Sequence, residues 1–133
     1  MSAPAPQLTA LVVDDSAAMR KQLGWALQRV FGMSPVEASD GADAWRKLSA
    51  GRYDIVITDI NMPLMDGLKL VALIRAGGAN QHVPLVVITT EGAEADRKRA
   101  MSLGASGYLV KPVQANQVVE AVRSLLRLME AIS

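Results

Sequence analysis

The sequence predicts an α/β fold: a doubly wound, five-stranded parallel sheet with five helices, in a single domain. Three observations lead there. Short runs rich in Val, Ile and Leu recur along the chain and are apolar at consecutive positions, as suits strands buried on both faces. Between them lie segments with apolar residues at three-and-four spacing, the mark of a helix with one buried stripe. The connections are short, so strand and helix simply alternate.

The elements follow in order. Leu8–Val13 forms a first strand that ends abruptly in Asp14-Asp15. Ser16 is an N-cap for a helix carrying Met19, Leu23, Ala26, Leu27 and Val30, and Gly32 stops it. Pro35–Ala38 makes a short second strand. Asp40 caps a second helix bearing Ala44, Trp45 and Leu48, closed by Gly51. Ile55–Thr58 is the third strand. Asp66-Gly67 opens a third helix with Leu70, Leu73 and Ile74 inward, and Gly77-Gly78 ends it. Leu85–Thr89 is the fourth strand, and a charged fourth helix from Glu94 to Leu103 stops at Gly104. Tyr108–Val110 is the fifth and weakest strand. The fifth helix runs from Gln117 to Met129, with Val118, Val122, Leu125 and Met129 on one stripe and Gln114 as a poor cap. Trp25 and Trp45 lie on or near apolar stripes and read as packing residues, and His82, just before Pro84, reads as exposed.

Composition narrows the function classes. With 133 residues one core is expected, spanning residues 8–131. Residues 1–7 form a Ser/Ala/Pro-rich flexible N-terminal tail, poor as a signal peptide. The chain ends after the fifth helix, so no second domain is expected. There is no Cys, hence neither a disulfide framework nor a thiolate zinc site, and the single His cannot build a His-rich metal centre. A net charge of +1 provides no field for nucleic acid or membrane binding. The apolar runs fall far short of the ~20 residues of a membrane helix. A soluble, cytoplasmic, monomeric protein is expected.

The chemistry sits at the carboxyl ends of the strands, where ligands gather in such sheets. The first strand ends in Asp14-Asp15 and the third in Asp59, followed by Ile60-Asn61-Met62-Pro63. The fourth ends in Thr89-Thr90 and the fifth in Lys111-Pro112. Right-handed crossovers would bring three carboxylates, a hydroxyl and an ammonium onto one rim. Two unit charges ~4 Å apart repel by roughly 4 kcal/mol at an effective dielectric near 20. A divalent cation removes that penalty. Hard carboxylate oxygens favour Mg²⁺ or Ca²⁺ over zinc, and so few protein ligands point to Mg²⁺.

Taken together these residues resemble the response-regulator receiver family, and within it the single-domain chemotaxis type with a flavodoxin-like fold. The resemblance runs from Leu11 to about Leu126. It is carried by Val12-Val13-Asp14-Asp15-Ser16, by Asp54 through Gly67 around Asp59, by Ile88-Thr89-Thr90-Glu91, by Gly104-Ala105 and by Tyr108-Leu109-Val110-Lys111-Pro112. It implies that Asp59 is the phospho-acceptor, supplied by a sensor histidine kinase. It implies that Asp14, Asp15, Asp59 and the backbone carbonyl of Asn61 hold Mg²⁺, and that Thr89 and Lys111 contact the phosphoryl oxygens. A cis Lys111-Pro112 peptide is implied too. Asn61, Thr90 and Glu91 would tune dephosphorylation, with Thr90 departing from the Ala typical of chemotaxis members. Thr89 and Tyr108 would be the switch pair, altering a face of the fourth helix, fifth strand and fifth helix that binds a downstream protein. Arg97, Lys98 and Arg99 lie on or near that face.

No enzyme beyond its own phosphorylation and dephosphorylation is expected. Alternatives of other kinds are a phosphorylation-independent adaptor with the same fold, a phosphorelay intermediate, and an Mg²⁺-dependent aspartyl phosphatase. The last needs a general acid two residues after the nucleophile, where this chain has Asn61. No Gly-rich phosphate loop follows any strand, which argues against nucleotide binding.

Overall fold

The computed structural model describes residues 8–62, 67–89 and 94–132. Along them run β1 (Thr9–Val13), α1 (Ala17–Phe31), β2 (Ser34–Ala38), α2 (Gly41–Ala50) and β3 (Ile55–Asp59). There follow α3 (Gly67–Ala76), β4 (Leu85–Thr89), α4 (Glu94–Ser102), β5 (Gly107–Val110) and α5 (Ala115–Ile132). The strands pair in parallel in the order β2-β1-β3-β4-β5. The order reverses at β1, so the crevice for a ligand opens at the carboxyl ends of β1 and β3. No described helix is long and apolar enough to cross a membrane.

Why the strands are apolar at every position is now visible. Successive side chains point to opposite faces. Leu11, Val13, Val56, Leu85 and Val87 meet Ala44, Leu48, Leu70, Val71, Ile74 and Ala100 from α2, α3 and α4. Ala10, Val12, Ile55, Ile57, Val86 and Ile88 meet Leu23 and Leu27 of α1 and Val118 and Val122 of α5. A sheet covered twice leaves the central strands β1, β3 and β4 mostly apolar until their carboxyl ends, while the edge strand β2 carries Glu37.

The caps behave as their chemistry requires. The Ser16 hydroxyl accepts from the Met19 N–H at 3.2 Å, and Gly32 leaves α1 in the left-handed region at φ 69°. The Asp40 carboxylate accepts from the Asp43 N–H at 2.7 Å. Asp43 in turn accepts from the Ser39 N–H at 3.3 Å, from Arg46 at 2.6 Å and from Lys47 at 3.1 Å. Burial opposes ionisation of Asp43, yet these donors outweigh it and hold its carboxyl below the usual range.

Gly67 is required by contact. A β-carbon there would lie 2.5 Å from the Ile60 α-carbon and 2.6 Å from the Asp59 carbonyl oxygen. The first turn of α3 therefore rests directly on the backbone that follows β3, and the Gly67 N–H donates to the Ile60 carbonyl at 3.1 Å.

Several sequence expectations need correction. Trp25 is not a packing residue; it is 61% exposed. At about 100° per residue, a position two residues from both Leu23 and Leu27 points away from the sheet. Trp45 does pack against the core. Val30 and Met129 are exposed as well. The 18 residues of α5 span about 27 Å, whereas a five-residue strand spans about 17 Å, so the last turn overshoots the sheet. Val30 is exposed for a different reason: Phe31 and Met33 after it pack into the core, and Val30 lies at the edge of the Leu23–Leu27–Phe31 stripe. In α3 the fully buried neighbour is Val71, and Leu73 is half-buried. α5 starts at Ala115, before Gln117, and runs past Met129.

Gly67→Ala is expected to lower stability by about 1–3 kcal/mol, because backbone rather than a flexible side chain must give way; the urea midpoint measures it. For Asp43 the sign follows from its depressed pKa: its contribution is present above the unfolded value of 3.8 and lost as pH falls through the folded value. Asp43→Asn should therefore cost no more than about 1 kcal/mol near neutrality, after solvent screening. The gap to wild type should close below pH 3.8 in urea titrations taken at a series of pH values.

Candidate metal site at the carboxyl rim of the sheet

Where β1 and β3 run out, the buried positions turn acidic. Asp14 and Asp59 are each 2% exposed, and Asp15 beside them is open to solvent. Oxygens of the three carboxylates lie within 4.8 Å of one another. The β1–β3 register, which pairs Val13 with Thr58, sets Asp14 and Asp59 side by side, and neither can turn away into the packed core.

Each of the two buried acids is held by a donor from the local chain. The Ser16 N–H donates to Asp14 Oδ1 at 2.8 Å, so the residue that caps α1 also aims the carboxylate. The Asn61 N–H donates to Asp59 Oδ1 at 2.9 Å. Arg20 Nη1 donates to the Asp14 carbonyl at 2.7 Å while its Nε meets Glu37 at 3.0 Å, fastening α1 to both strands.

Lys111 supplies the cation. Its N–H extends the β4–β5 ladder to the Thr89 carbonyl at 2.7 Å, and the following Lys111-Pro112 peptide is cis. Its Nζ lies 2.8 Å from Asp59 Oδ2 and 3.7 Å from Asp14 Oδ2. Burial disfavours charge on Lys111, but the Asp59 hydrogen bond and the pull of Asp59, Asp14 and Asp15 outweigh it and raise its pKa. Burial likewise raises the pKa of Asp14. The Ser16 N–H and Lys111 oppose that rise, while Asp59 and Asp15 add to it. One ammonium among three carboxylates leaves the rim negative. All donors here are oxygen, close enough to share one small hard cation, and the set fits Mg²⁺ rather than a soft metal.

Thr89, fully buried at the end of β4, accepts from Asn61 Nδ2 at 3.1 Å. The structure thus brings together Asp14, Asp15, Asp59, Asn61, Thr89 and Lys111. Tyr108 sits half-buried on β5 against the α2–α3–α4 side of the core, away from the acids. Arg97, Lys98 and Arg99 are exposed on α4, with Arg97 paired to Glu94. Thr90 and Glu91 lie outside the described residues, as do Pro63 through Asp66.

The sequence reading missed the clamp on Asp14 by the Ser16 N–H and the Arg20 tie. Only the Ser16 part had a signal, because a serine following paired acids at a strand end can serve both. It missed Gly67 as a spacer as well. Cavity size is a poor guide: a hollow of about 570 Å³ lies at the opposite end of the sheet between the last turns of α2 and α3. Asn80 beneath it is spent on the Leu48 and Gly51 carbonyls and the Tyr53 N–H.

Known proteins agree with this geometry. The chemotaxis protein CheY1 of Helicobacter pylori J99 is 39% identical over 117 residues, covering 87% of this chain and 94% of that protein. A chemotaxis protein CheY homolog of Campylobacter jejuni is 37% identical over 117 residues, covering 87% and 90%. The solved structure of CheY4 from Vibrio cholerae superposes with a TM-score of 0.83 at 30% identity, over 90% of this chain and 98% of that one. A CheY-like receiver from Methanospirillum hungatei has a TM-score of 0.88 over 96% of this chain and all of that one, a likeness of fold alone at 20% identity. Residues 10–123 match the response regulator receiver domain. With the reversed strand order, the acidic rim and these relatives in agreement, the chain belongs to the response regulator receiver domain family, in its CheY-like form.

Proposed function

We propose that Asp59 of this receiver accepts a phosphoryl group from a phosphohistidine of a sensor kinase, and that the modified domain engages a downstream partner in chemotaxis signalling. The carrying observation is the Asp14–Asp15–Asp59 cluster with Lys111 Nζ 2.8 Å from Asp59.

The chain's residues divide the work. Asp59 attacks phosphorus as a carboxylate; an oxygen–phosphorus bond forms, the nitrogen–phosphorus bond breaks, and the imidazole departs. The Asn61 N–H, bound to Oδ1, keeps the carboxylate from rotating during approach. Lys111 exchanges its ion pair with Oδ2 for one with an oxygen of the arriving phosphoryl group, offsetting charge that gathers there. Asp14, Asp15 and Asp59, with the Asn61 carbonyl, would hold Mg²⁺, which when bound supplies further neutralisation of the phosphoryl oxygens. Water later cleaves the acyl phosphate, with Asn61, Thr90 and Glu91 tuning its access.

The signal leaves through Thr89. Its hydroxyl is engaged by Asn61 at 3.1 Å, and turning toward a phosphoryl oxygen gives that bond up. A shift of Thr89 frees space for Tyr108 to move inward and reshapes the surface of α4, β5 and α5, where the downstream protein binds. The open rim suits a donor carried on another protein.

Two outcomes test the reading. Incubation with acetyl phosphate and Mg²⁺ should place an acid-stable, alkali-labile phosphate on wild type and none on Asp59→Asn; an unmodified wild type defeats it. Asp14→Asn should act in opposite directions. Without divalent cation it should raise the melting temperature, because a buried carboxylate with a raised pKa opposes folding once ionised near neutrality. Wild type should gain about 2.7 kcal/mol at an Mg²⁺ concentration near a hundred times its dissociation constant, and the variant much less. Thermal melts with and without Mg²⁺ measure both.

A further inference from the structure

The least explained part of the surface is the outer side of α1. Trp25 is 61% exposed there, the most exposed of the large hydrophobic residues among the described ones. It forms one wall of a shallow groove of about 210 Å³ between α1 and the edge strand β2, with Gly24 and Pro35 as its floor. Gly24 keeps that floor tight, since a β-carbon there would come within 3.1 Å of the Pro35 side chain.

The charges that α1 itself carries around Trp25 have one sign, and the acid lining the groove, Glu37 of β2, is paired with Arg20. Lys21, Trp25 and Arg29 stand at four-residue intervals along a single line of the helix, and the Arg29 guanidinium lies 5.1 Å from the Trp25 ring centre. α1 contains no acidic residue at all. Among the described residues neither Lys21 nor Arg29 forms an ion pair, whereas Arg46, Lys47, Arg97 and Arg123 each find an acid one turn away. Arg20 in the same groove is already matched to Glu37. An exposed Trp stiffened by one cation and flanked by another is the kind of anchor that dominates interfaces.

The adjoining sheet edge is closed to strand addition. Ser34 and Ala38 turn their hydrogen-bonding groups toward β1, so Pro35 and Glu37 face outward. Pro35 has no N–H, and the Glu37 carbonyl is occupied by Lys47 Nζ. An occupant must be recognised through side chains, and a second copy pairing edge to edge is disfavoured.

We propose that the Lys21–Trp25–Arg29 face is a second docking surface, for an acidic amphipathic helix of a partner protein. Such a helix sets an apolar side chain against Trp25 and Pro35 and carboxylates against Lys21 and Arg29, which are about 12 Å apart along α1. Trp25 lies about 13 Å down the helix from Ser16, away from the acidic rim and on the far side of the sheet order from β5. Docking here is therefore independent of Asp59 chemistry, and the domain can hold one partner constantly while the phosphoryl-sensitive face engages another.

The test uses the full chain carrying Trp45→Phe, so that Trp25 alone reports by fluorescence. The probe is a synthetic helical peptide with Glu residues flanking a Leu at helical spacing, compared with the same peptide bearing Lys in place of Glu. The acidic peptide should bind saturably with a blue shift of Trp25 emission, and the basic one should not. Lys21→Glu with Arg29→Glu should weaken binding at least tenfold, and Trp25→Ala, read with a labelled peptide, should abolish it while circular dichroism stays unchanged. Affinity should be the same within twofold with and without beryllofluoride and Mg²⁺. Equal binding of both peptides, indifference to the charge reversal, or a tenfold change with beryllofluoride overturns the proposal. So does Trp25-dependent binding to phosphatidylglycerol vesicles, or Trp25-dependent self-association in sedimentation, either of which makes another occupant the true one. Failure of beryllofluoride to bind at all counts against the Asp59 reading, and the peptide comparison on untreated protein still decides this one.

Discussion

The structure is organised around carboxylates that repel one another and cannot separate. Parallel pairing of β1 with β3 sets Asp14 beside Asp59, and the packed core behind them denies either side chain a retreat. Lys111 at 2.8 Å from Asp59 offsets part of the charge, and the remainder is a standing demand for a cation. Lys111 holds its proton more tightly because of that imbalance, whereas the raised pKa of Asp14 comes first from burial, with Asp59 and Asp15 adding to it. A rim strained in this way is stabilised by whatever brings positive charge.

Everything around the rim limits how it can relax. Ser16 and Asn61 each spend a backbone N–H on one acid, and Arg20 ties the first of them to α1 and β2. Gly67 lets α3 press against the turn after Asp59, so that turn has little freedom. Thr89, at the end of β4, accepts from the side-chain amide of the exposed Asn61 at 3.1 Å.

The far parts of the molecule are governed by other terms. Arg75 is half-buried at the end of α3 and donates to the Gly104 carbonyl at 2.8 Å, the Gln81 carbonyl at 2.9 Å and Ser106 at 3.3 Å. It gathers the loops at the end opposite the acids, and burial lowers its pKa. The outer face of α1 belongs to neither network. Lys21 and Arg29 form no ion pair among the described residues, and Trp25, with Arg29 against its ring, stands in solvent.

Sequence alone was sufficient for the class of fold and for most of the site. Runs such as Leu85–Thr89, apolar at each position, admit only a doubly covered strand, and Asp, Thr or Lys at the ends of four such runs must share a rim once the strands are parallel. Caps at Ser16, Asp40, Gly51 and Gly32 were legible because a cap is a local bargain between a side chain and a backbone group within one turn. What sequence did not contain was anything decided by the third dimension. Trp25 and Val30 looked inward because apolar type was weighed without the angle each takes around α1. The Arg20 and Arg75 ties join residues whose proximity depends on how helices lie across strands, and the contact that requires Gly67 exists only once α3 has docked. Local pattern determines which groups are available; packing alone decides which of them meet.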